Sequence, residues 1–419
     1  MKKSFPYAII KCSLILIGGF LMKRPELLAP AGDMECLETA VHFGADAVYI
    51  GGPLLQLRAD NVGFDREGIS EAVKYAHAHG VKLYVTVNCF AKNEEIDAAD
   101  DYAKYLYSVG VDAVIVSDIG LIAAIHKAAP DLEIHVSTQA NCQNFSSANV
   151  YWEMGAKRVV LGREMTLEEI IEFRKRIPEE MEIEAFVHGA MCMSYSGRCM
   201  ISSYLVNRSG NRGGCAQPCR WNYHLVEMKR PNEFFQVEED EKGTAILSSH
   251  DMCAVTFLDQ LEAAGICSYK IEGRMKTPFY VATAVNAYRH AIDGDLPMEV
   301  IERELDSISH RPYSSAFYFG EMKMSHGNSG AYIQKCTFIG KVLDYSDGFV
   351  TIQQRNNFKP GDELEVVSPI STGEKFTVTK IFDEEGNERE DARLIQQILR
   401  LPCPVELKKG DLLRKRIEE

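Results

Sequence analysis

The sequence has too few cysteines, too little positive charge and too short an apolar run for several classes of protein. Twelve cysteines among 419 residues are too sparse for a disulfide scaffold. A formal net charge of −14 argues against broad, non-specific binding to nucleic acid, although a local basic face remains compatible with it. Reduced thiols and an ordinary apolar content of 46% therefore predict a globular, cytoplasmic protein.

The N-terminal leader, residues 1–21, lacks the features of a membrane span or a secretory signal. The stretch from Cys12 to Met22 is too short to cross a bilayer, and Pro6 and Lys11 interrupt the apolar run. No small-residue cleavage site follows it. We interpret the leader as an over-extended start, with a signal or membrane-proximal anchor as the alternative, and expect no stable membrane association.

Three catalytic or metal-binding patterns are also missing from the sequence. There is no H-E-x-x-H zinc helix and no G-x-S-x-G nucleophile elbow, which argues against the common metallopeptidases and serine hydrolases. There is no tight C-x2-C pair of the kind that zinc knuckles contain.

Eight short apolar segments alternate with amphipathic helical stretches between Pro25 and Arg274. Near-continuous apolar strands are typical of a parallel sheet that is covered on both faces. A glycine precedes the strand at four helix-to-strand junctions, "GADAVYIGG", "GVDAVIVSD", "GAKRVVLGR" and "GICSYKIEG". The pattern predicts an α/β fold with a TIM-like (β/α)8 barrel, and an open doubly wound sheet is the alternative. The eight predicted strands are "ELLAPAG", "DAVYIGG", "KLYVTVN", "DAVIVSD", "EIHVSTQ", "RVVLGRE", "IEAFVHG" and "SYKIEGR".

The remaining chain divides into further regions. We predict a barrel over residues 22–310 with a Cys-rich insertion at about 188–250 before the last strand, and a linker over 311–329. Alternating strands and Asp-Gly or Pro-Gly turns predict a small antiparallel β-barrel over 330–419. Near its end lies a locally basic stretch that we hypothesise contacts RNA phosphate. Its cations are Lys408, Lys409, Arg414, Lys415 and Arg416.

Four cysteines lie within 28 residues of the insertion, with the spacing C-x6-C-x15-C-x3-C. Thiolates are soft donors that suit zinc or an iron–sulfur cluster, and the wide spacing favours a [4Fe–4S] cluster. Zinc binding and simple packing of the thiols beside a strand remain open alternatives. The four are Cys192, Cys199, Cys215 and Cys219.

The segment around these cysteines is rich in arginine and aromatic residues. From Arg198 to Arg230 there are six Lys or Arg and one acidic residue. This favours an anionic substrate or an RNA phosphate, and a solvated loop whose arginines balance the thiolates is the alternative. Tyr204, Trp221 and Tyr223 are candidates to stack on a base or to pack in the core.

Polar residues at the ends of several predicted strands would line the mouth of a barrel. His188, Glu164 and Glu272 are candidate catalytic residues. Arg163, Arg198 and Arg274 are candidate substrate-binding residues. The alternative for the strand-end residues is a set of structural ion pairs around the rim.

The segment "EAFVHGAMCMSYSGRCMIS" resembles the signature of the collagenase-like family of unassigned peptidases. The segments "LLAPAGD", "AVYIGG", "CAQPCRW" and "KIEGR" also look like this family, and the resemblance extends from Met22 to the C-terminus. Within the family the chain is most similar to the tRNA hydroxylation protein P group. The matching signature positions are Glu184, Phe186, Gly189, Ala190, Cys192, Gly197, Cys199 and Ser202.

This resemblance implies a tRNA-modifying enzyme that forms 5-hydroxyuridine at the wobble position without molecular oxygen. It implies a [4Fe–4S] cluster on the four clustered cysteines and prephenate as the hydroxyl source. Because the fourth ligand comes from elsewhere in some relatives, Cys219 is the least fixed ligand and Cys253 is its candidate substitute. tRNA and a paralogous or redox protein are the implied partners. A peptidase, as the family name suggests, and a non-catalytic metal-cluster accessory protein are the alternative functions.

Overall fold

The computed structural model describes residues 24–57, 63–192, 194–221, 250–320, 332–370 and 372–417. It also describes two isolated two-residue ladders, Leu16–Ile17 with Phe20–Leu21 and Glu239–Asp240 with Gly243–Thr244. The rest of the leader and Tyr223 lie outside these residues. Within the described ranges, no helix combines the length and the apolar character that a membrane crossing requires.

Eight parallel strands form a closed barrel, which confirms the predicted fold. The last strand pairs with both the first and the seventh, so these eight strands close on themselves and the open-sheet alternative is wrong. Every strand predicted from the sequence takes part. The barrel strands are β1 (Glu26–Pro30), β2 (Ala47–Gly51), β3 (Lys82–Val87), β4 (Ala113–Val116), β5 (Glu133–Val136), β6 (Ala156–Val160), β7 (Glu182–Ala190) and β9 (Ser268–Ile271).

Two short strands extend this sheet beyond the barrel. β8 (Asp251–Cys253) pairs antiparallel with the end of β7, and β10 (Tyr313–Ser314) pairs parallel with β8. The strand β10 therefore lies in the segment that the sequence suggested as a linker.

Helices surround the barrel and connect its strands. Most of them bury an apolar face, as their three- and four-residue spacing predicts, but α3 has no buried residue and α8 buries only Ser202. The helices are α1 (Met34–His42), α2 (Arg66–Ala78), α3 (Asn93–Ile96), α4 (Ala99–Ser108), α5 (Ile119–Ala128), α6 (Phe145–Glu153), α7 (Leu167–Arg174), α8 (Ile201–Val206), α9 (Leu258–Ala263), α10 (Pro278–Asp293) and α11 (Met298–Leu305).

The recurring glycine at the helix-to-strand junctions has a backbone reason. Gly44, Gly110, Gly155 and Gly265 have φ between 87° and 95°, in the left-handed region that a side chain disfavours. Each glycine reverses the chain after a helix and starts the next barrel strand. The repeated phrase is therefore a turn that recurs with the βα unit.

A buried ion network fills the amino-terminal half of the barrel interior. The Glu184 carboxylate on β7 is fully buried and accepts hydrogen bonds from Lys270 Nζ at 2.8 Å and from Arg158 Nη1 at 3.0 Å. Arg158 also binds Glu26 Oε1 at 2.6 Å. Burial alone would raise the pKa of Glu184, but the two cations outweigh burial and lower it to about 2. The network thus closes the end of the barrel opposite its mouth with paired charges.

The Glu184→Gln variant is expected to lose the part of the unfolding free energy that depends on ionisation of this carboxylate. Because the folded pKa lies below the unfolded value, the carboxylate stabilises the native state above about pH 4.5. That contribution disappears as the pH falls towards 2. Urea unfolding should show the variant less stable by about 2–3 kcal/mol at pH 7, with a smaller difference at pH 3. A difference that stays constant with pH would contradict this account, and Glu182→Gln, a more exposed partner of Arg158, is the control.

The C-terminal region forms a separate antiparallel sheet with its own apolar core, as predicted. Its strands are β11 (Cys336–Ser346), β12 (Phe349–Gln354), β13 (Glu363–Val367), β14 (Thr372–Thr377), β15 (Ile381–Phe382), β16 (Glu388–Arg389), β17 (Ile398–Pro402) and β18 (Leu412–Arg416). Across the sheet they lie in the order β14, β13, β18, β11, β12, β17, β15, β16.

Three of the basic residues in the C-terminal stretch form ion pairs within the protein. For Arg414, which is buried, the hypothesis that these residues contact RNA phosphate is wrong. Its side chain is fully buried and binds Glu304 on α11 and Glu365 on β13. Arg416 also binds Glu365, and Lys415 binds Asp362. Lys408 and Lys409 are exposed. The charges of β18 therefore join the two domains and satisfy nearby acids instead of forming an open basic face.

Candidate active site at the barrel mouth

The Cys-rich segment, residues 191–221, folds across the carboxyl ends of the barrel strands. After β6, the Glu164 carboxylate accepts hydrogen bonds from Ser196 N at 2.7 Å and from Ser196 Oγ at 3.1 Å. After β5, Thr138 donates to the same Ser196 hydroxyl at 3.4 Å. Gly197, with φ of 71°, lies so close to Gln139 O that a side chain would collide with it. This glycine therefore allows the segment to lie directly on the rim.

A second set of contacts fixes the later half of the segment. Arg212 forms a two-pronged ion pair with Glu95 on α3, with an Nη2–Oε1 distance of 2.7 Å, and donates to Phe90 O. Arg163 Nη1 donates to Ala190 O at 3.0 Å, where β7 enters the segment. Glu164 and Arg163 thus position the Cys-rich segment through its backbone and its serine.

The structure brings the four clustered cysteines together. The thiol of Cys219 has its pKa raised, first by burial and then by the neighbouring thiols of Cys192, Cys199 and Cys215. None of the four is in a disulfide, and only Cys192 is fully exposed. Cys215 Sγ also accepts a hydrogen bond from Gln217 N at 3.4 Å. The thiols of Cys192, Cys199 and Cys215 therefore lie near enough to Cys219 to act on its charge.

This donor set fits an iron–sulfur cluster by its chemistry. Four thiolates are the usual ligands of [4Fe–4S], and backbone N–H groups that point at sulfur stabilise its negative charge. Burial raises the pKa of the Cys219 thiol, and the adjacent Arg220 partly opposes that rise. In the described part of the chain, no three His, Cys, Asp or Glu side chains form a group that could hold a metal ion, so the fit rests on the chemistry of the donors and not on their spacing.

Cys253, the candidate substitute ligand, has a different environment. It lies on β8, where its sulfur accepts a hydrogen bond from Tyr288 Oη at 3.8 Å. Burial raises the pKa of its thiol.

His188 is buried among aromatic rings, which makes it a weak candidate for acid–base catalysis. Its ring lies 5.4 Å from those of Tyr288 and Tyr313 and 5.9 Å from that of Tyr280. Burial lowers its pKa to about 3, so the imidazole is neutral and a poor proton acceptor near pH 7. Tyr288 Oη lies 3.4 Å from its Nδ1.

Glu272 differs from the other candidate carboxylate, Glu164, in its contacts with the described residues. It follows β9 and is half-buried, and among the described residues none donates a hydrogen bond to its carboxylate. Burial raises the pKa values of Tyr49 and Tyr280, and the charge of Glu272 adds to both rises. Glu272 is therefore the candidate whose carboxylate remains available to a substrate.

Arg274 lies beside a small cavity at the rim. The cavity has a volume of about 150 Å³. Arg274 is buried and donates to Thr86 Oγ1 at 2.6 Å and to Leu57 O. Beside it, Gln56 is buried with no hydrogen-bond partner for Oε1 among the described residues. The ammonium of Lys276, which also lines the cavity, lies over the rings of Tyr280 and Tyr332.

Sequence reasoning missed Gln56 and Lys276 in this cavity. Gln56 lies in a loop without a recognisable pattern. Lys276 follows the "KIEGR" segment by only two residues, and its position after a predicted strand was the one available signal.

Arg198 lies on the outside of the Cys-rich segment. Its side chain is exposed, and its N–H donates to Tyr195 O at 3.0 Å. The structure does not bring it together with Arg274.

Comparison with known proteins gives consistent matches along the chain. Residues 32–328 match the model of peptidase family U32, and residues 334–414 match that of the peptidase family U32 C-terminal domain. The chain is 40% identical to tRNA hydroxylation protein P1 of Bacillus subtilis, over 94% of this chain and 96% of the relative. It is 34% identical to tRNA hydroxylation protein P of Escherichia coli, over 92% and 95%. It is 37% identical to the 23S rRNA 5-hydroxycytidine C2501 synthase of Escherichia coli, over 64% of this chain and 39% of that protein.

Proposed function

The chain belongs to peptidase family U32, and we propose that it is an RNA-modifying enzyme that hydroxylates C5 of the tRNA wobble uridine. The observation that carries this proposal is the four-cysteine segment across the barrel mouth, which contains four arginines and no acidic residue between 192 and 221. The similarity of the protein, over nearly its whole length, to proteins named for tRNA hydroxylation supports the choice of tRNA as the substrate.

In this proposal the four clustered cysteines hold a [4Fe–4S] cluster. When bound, such a cluster supplies a Lewis-acid or electron-transfer centre at the mouth, beside the entering base. The chain itself supplies the frame, because Glu164 and Glu95 anchor the segment that carries the thiols. The arginines of the segment offset the negative charge of the thiolates.

The hydroxyl group is proposed to come from prephenate. In the net transfer the C5–H of uridine becomes C5–OH and the donor R–OH becomes R–H, so no molecular oxygen is consumed. Prephenate is a dicarboxylate, and the rim cavity beside Arg274 and Lys276 suits one of its carboxylate arms by size and charge. The Glu272 carboxylate, which accepts no hydrogen bond from the described residues, is the group best suited to accept the C5 proton, since His188 is buried and neutral.

A peptidase function has less support. Among the described residues no Ser, Thr or Cys side chain forms a hydrogen bond with a histidine, as an activated nucleophile requires. The clustered thiols suit a metal centre better than a single nucleophile. The direct test of the proposed function is whether this protein restores 5-hydroxyuridine to tRNA that lacks it.

A further inference from the structure

The Cys-rich segment contains several large apolar residues that are exposed. Tyr204 is 88% exposed, Met200 68%, Tyr195 60% and Trp221 43%. We call these four residues the stacking face. A contiguous patch of exposed apolar residues often marks a binding surface.

The stacking face is built on a well-supported frame. On α8 the Ser202 side chain is buried, and its hydroxyl accepts a hydrogen bond from Ala216 N at 3.0 Å. The one-turn helix 218–220, which precedes Trp221, packs against α8. Because Met200 and Tyr204 are four residues apart, they project from the same side of the helix, opposite the buried serine. The aromatic side chains are thus exposed although the backbone beneath them is fixed.

The charge around this face fits a polyanion. Residues 192–221 contain four arginines and no acid, in a chain with a net charge of −14. Arg198 and Arg208 are exposed and lie close in sequence to the aromatic residues. Arg208 Nε donates to Gly214 O at 3.0 Å, and Arg212 pairs with Glu95. Aromatic rings interleaved with arginines are typical of surfaces that bind single-stranded nucleic acid.

The stacking face lies directly next to the clustered cysteines in the sequence. Met200 follows Cys199 directly, and Trp221 follows Cys219 by two residues. An enzyme that acts on a base must take that base out of the stack, and neighbouring bases then need new stacking partners. RNA loops are recognised in this way because their bases can be splayed onto aromatic rings.

We propose that the stacking face binds the unstacked bases that flank the target uridine in a single-stranded RNA loop, with Tyr204 and Trp221 as the stacking residues. This proposal rests on the proposed function and adds the surface that holds the RNA. The flanking bases lie on the outside of the segment, and the target base enters the mouth beside the thiols.

The test measures the binding of a synthetic anticodon stem–loop with a wobble uridine to the anaerobically purified full-length protein. Tyr204→Ala and Trp221→Ala are each expected to weaken binding about tenfold or more, whereas Tyr204→Phe should bind as the wild type does. The salt dependence of binding should not change, because no charge is removed. Iron content should also be unchanged.

Tyr107→Ala is the matched control, because Tyr107 is 49% exposed near the end of α4 that leads into the amino end of β4, away from the mouth. Wild-type affinity in both alanine variants, with tRNA hydroxylation by the wild type intact, would overturn the stacking face and leave the proposed function standing. Equal weakening by Tyr107→Ala, or loss of self-association instead of RNA binding, would also overturn it. Failure of the wild type to modify any RNA would instead refute the proposed function.

Discussion

Replacing any one of Cys192, Cys199, Cys215 or Cys219 with alanine is expected to abolish the brown iron–sulfur chromophore or leave an incomplete, oxygen-labile cluster. The same variants are expected to lose tRNA hydroxylation. The physical reason is that a [4Fe–4S] cluster normally takes four thiolates, and the structure places the thiols of Cys192, Cys199 and Cys215 near Cys219. The measurements are iron and sulfide content and the visible absorbance after anaerobic purification.

The chain offers matched controls for this experiment. Cys36 and Cys89 are buried, and burial raises the pKa of their thiols to about 12 and about 11. Cys267 donates to Ile183 O at 3.4 Å beside a barrel strand. Alanine at these positions should leave iron content unchanged.

Two outcomes would change the assignment of the cluster. Stoichiometric zinc without iron in the wild-type protein would overturn it. Full iron content in Cys219→Ala would move the fourth ligand elsewhere, with Cys253 the first residue to examine.

The Arg414→Ala variant is expected to lose about 3–5 kcal/mol of unfolding free energy. Arg414 is fully buried and holds both oxygens of Glu304 at 2.6 and 2.7 Å and Glu365 Oε2 at 2.9 Å. Its loss leaves carboxylates buried at the junction between the barrel and the C-terminal sheet. Because protonation would neutralise these stranded acids, the destabilisation should shrink as the pH falls. Urea unfolding at neutral and acidic pH measures both effects.

Lys415→Ala is the control for this prediction. Lys415 lies on the same strand and binds Asp362 at 2.7 Å, but its side chain is 38% exposed. Exposed ion pairs contribute less than about 1 kcal/mol, so the variant should unfold like the wild type. Equal stability of Arg414→Ala and Lys415→Ala would contradict the role assigned to Arg414.

The barrel was predictable because its signals are local. Each strand is a nearly continuous apolar run, and each of four turns requires a glycine with positive φ. The antiparallel C-terminal sheet was predictable from alternation and turn residues for the same reason. The roles of Arg414 and Arg416 were not predictable, since a basic strand looks the same in sequence whether its partners are phosphates or distant glutamates.

The grouping of the four cysteines was predictable from the sequence, and their role as metal ligands stays a prediction, whereas the polar residues of the site were less predictable. The cysteines lie close together along the chain, so their spacing carried the information. The environments of His188 and Glu164 depend on residues far away in sequence, Tyr288 and Ser196. The sequence showed that both residues follow barrel strands, but it did not show that one is enclosed by aromatic rings and the other holds a loop.

The most direct test of the central claim is the nucleoside composition of tRNA from a strain that lacks 5-hydroxyuridine and expresses this protein. The strain should have no paralogous hydroxylase, and the Cys192→Ala variant serves as the negative control. Mass spectrometry is predicted to find 5-hydroxyuridine derivatives at the wobble position with the wild-type protein and none with the variant. Wild-type protein that contains its cluster and still leaves the wobble uridine unmodified would contradict the account.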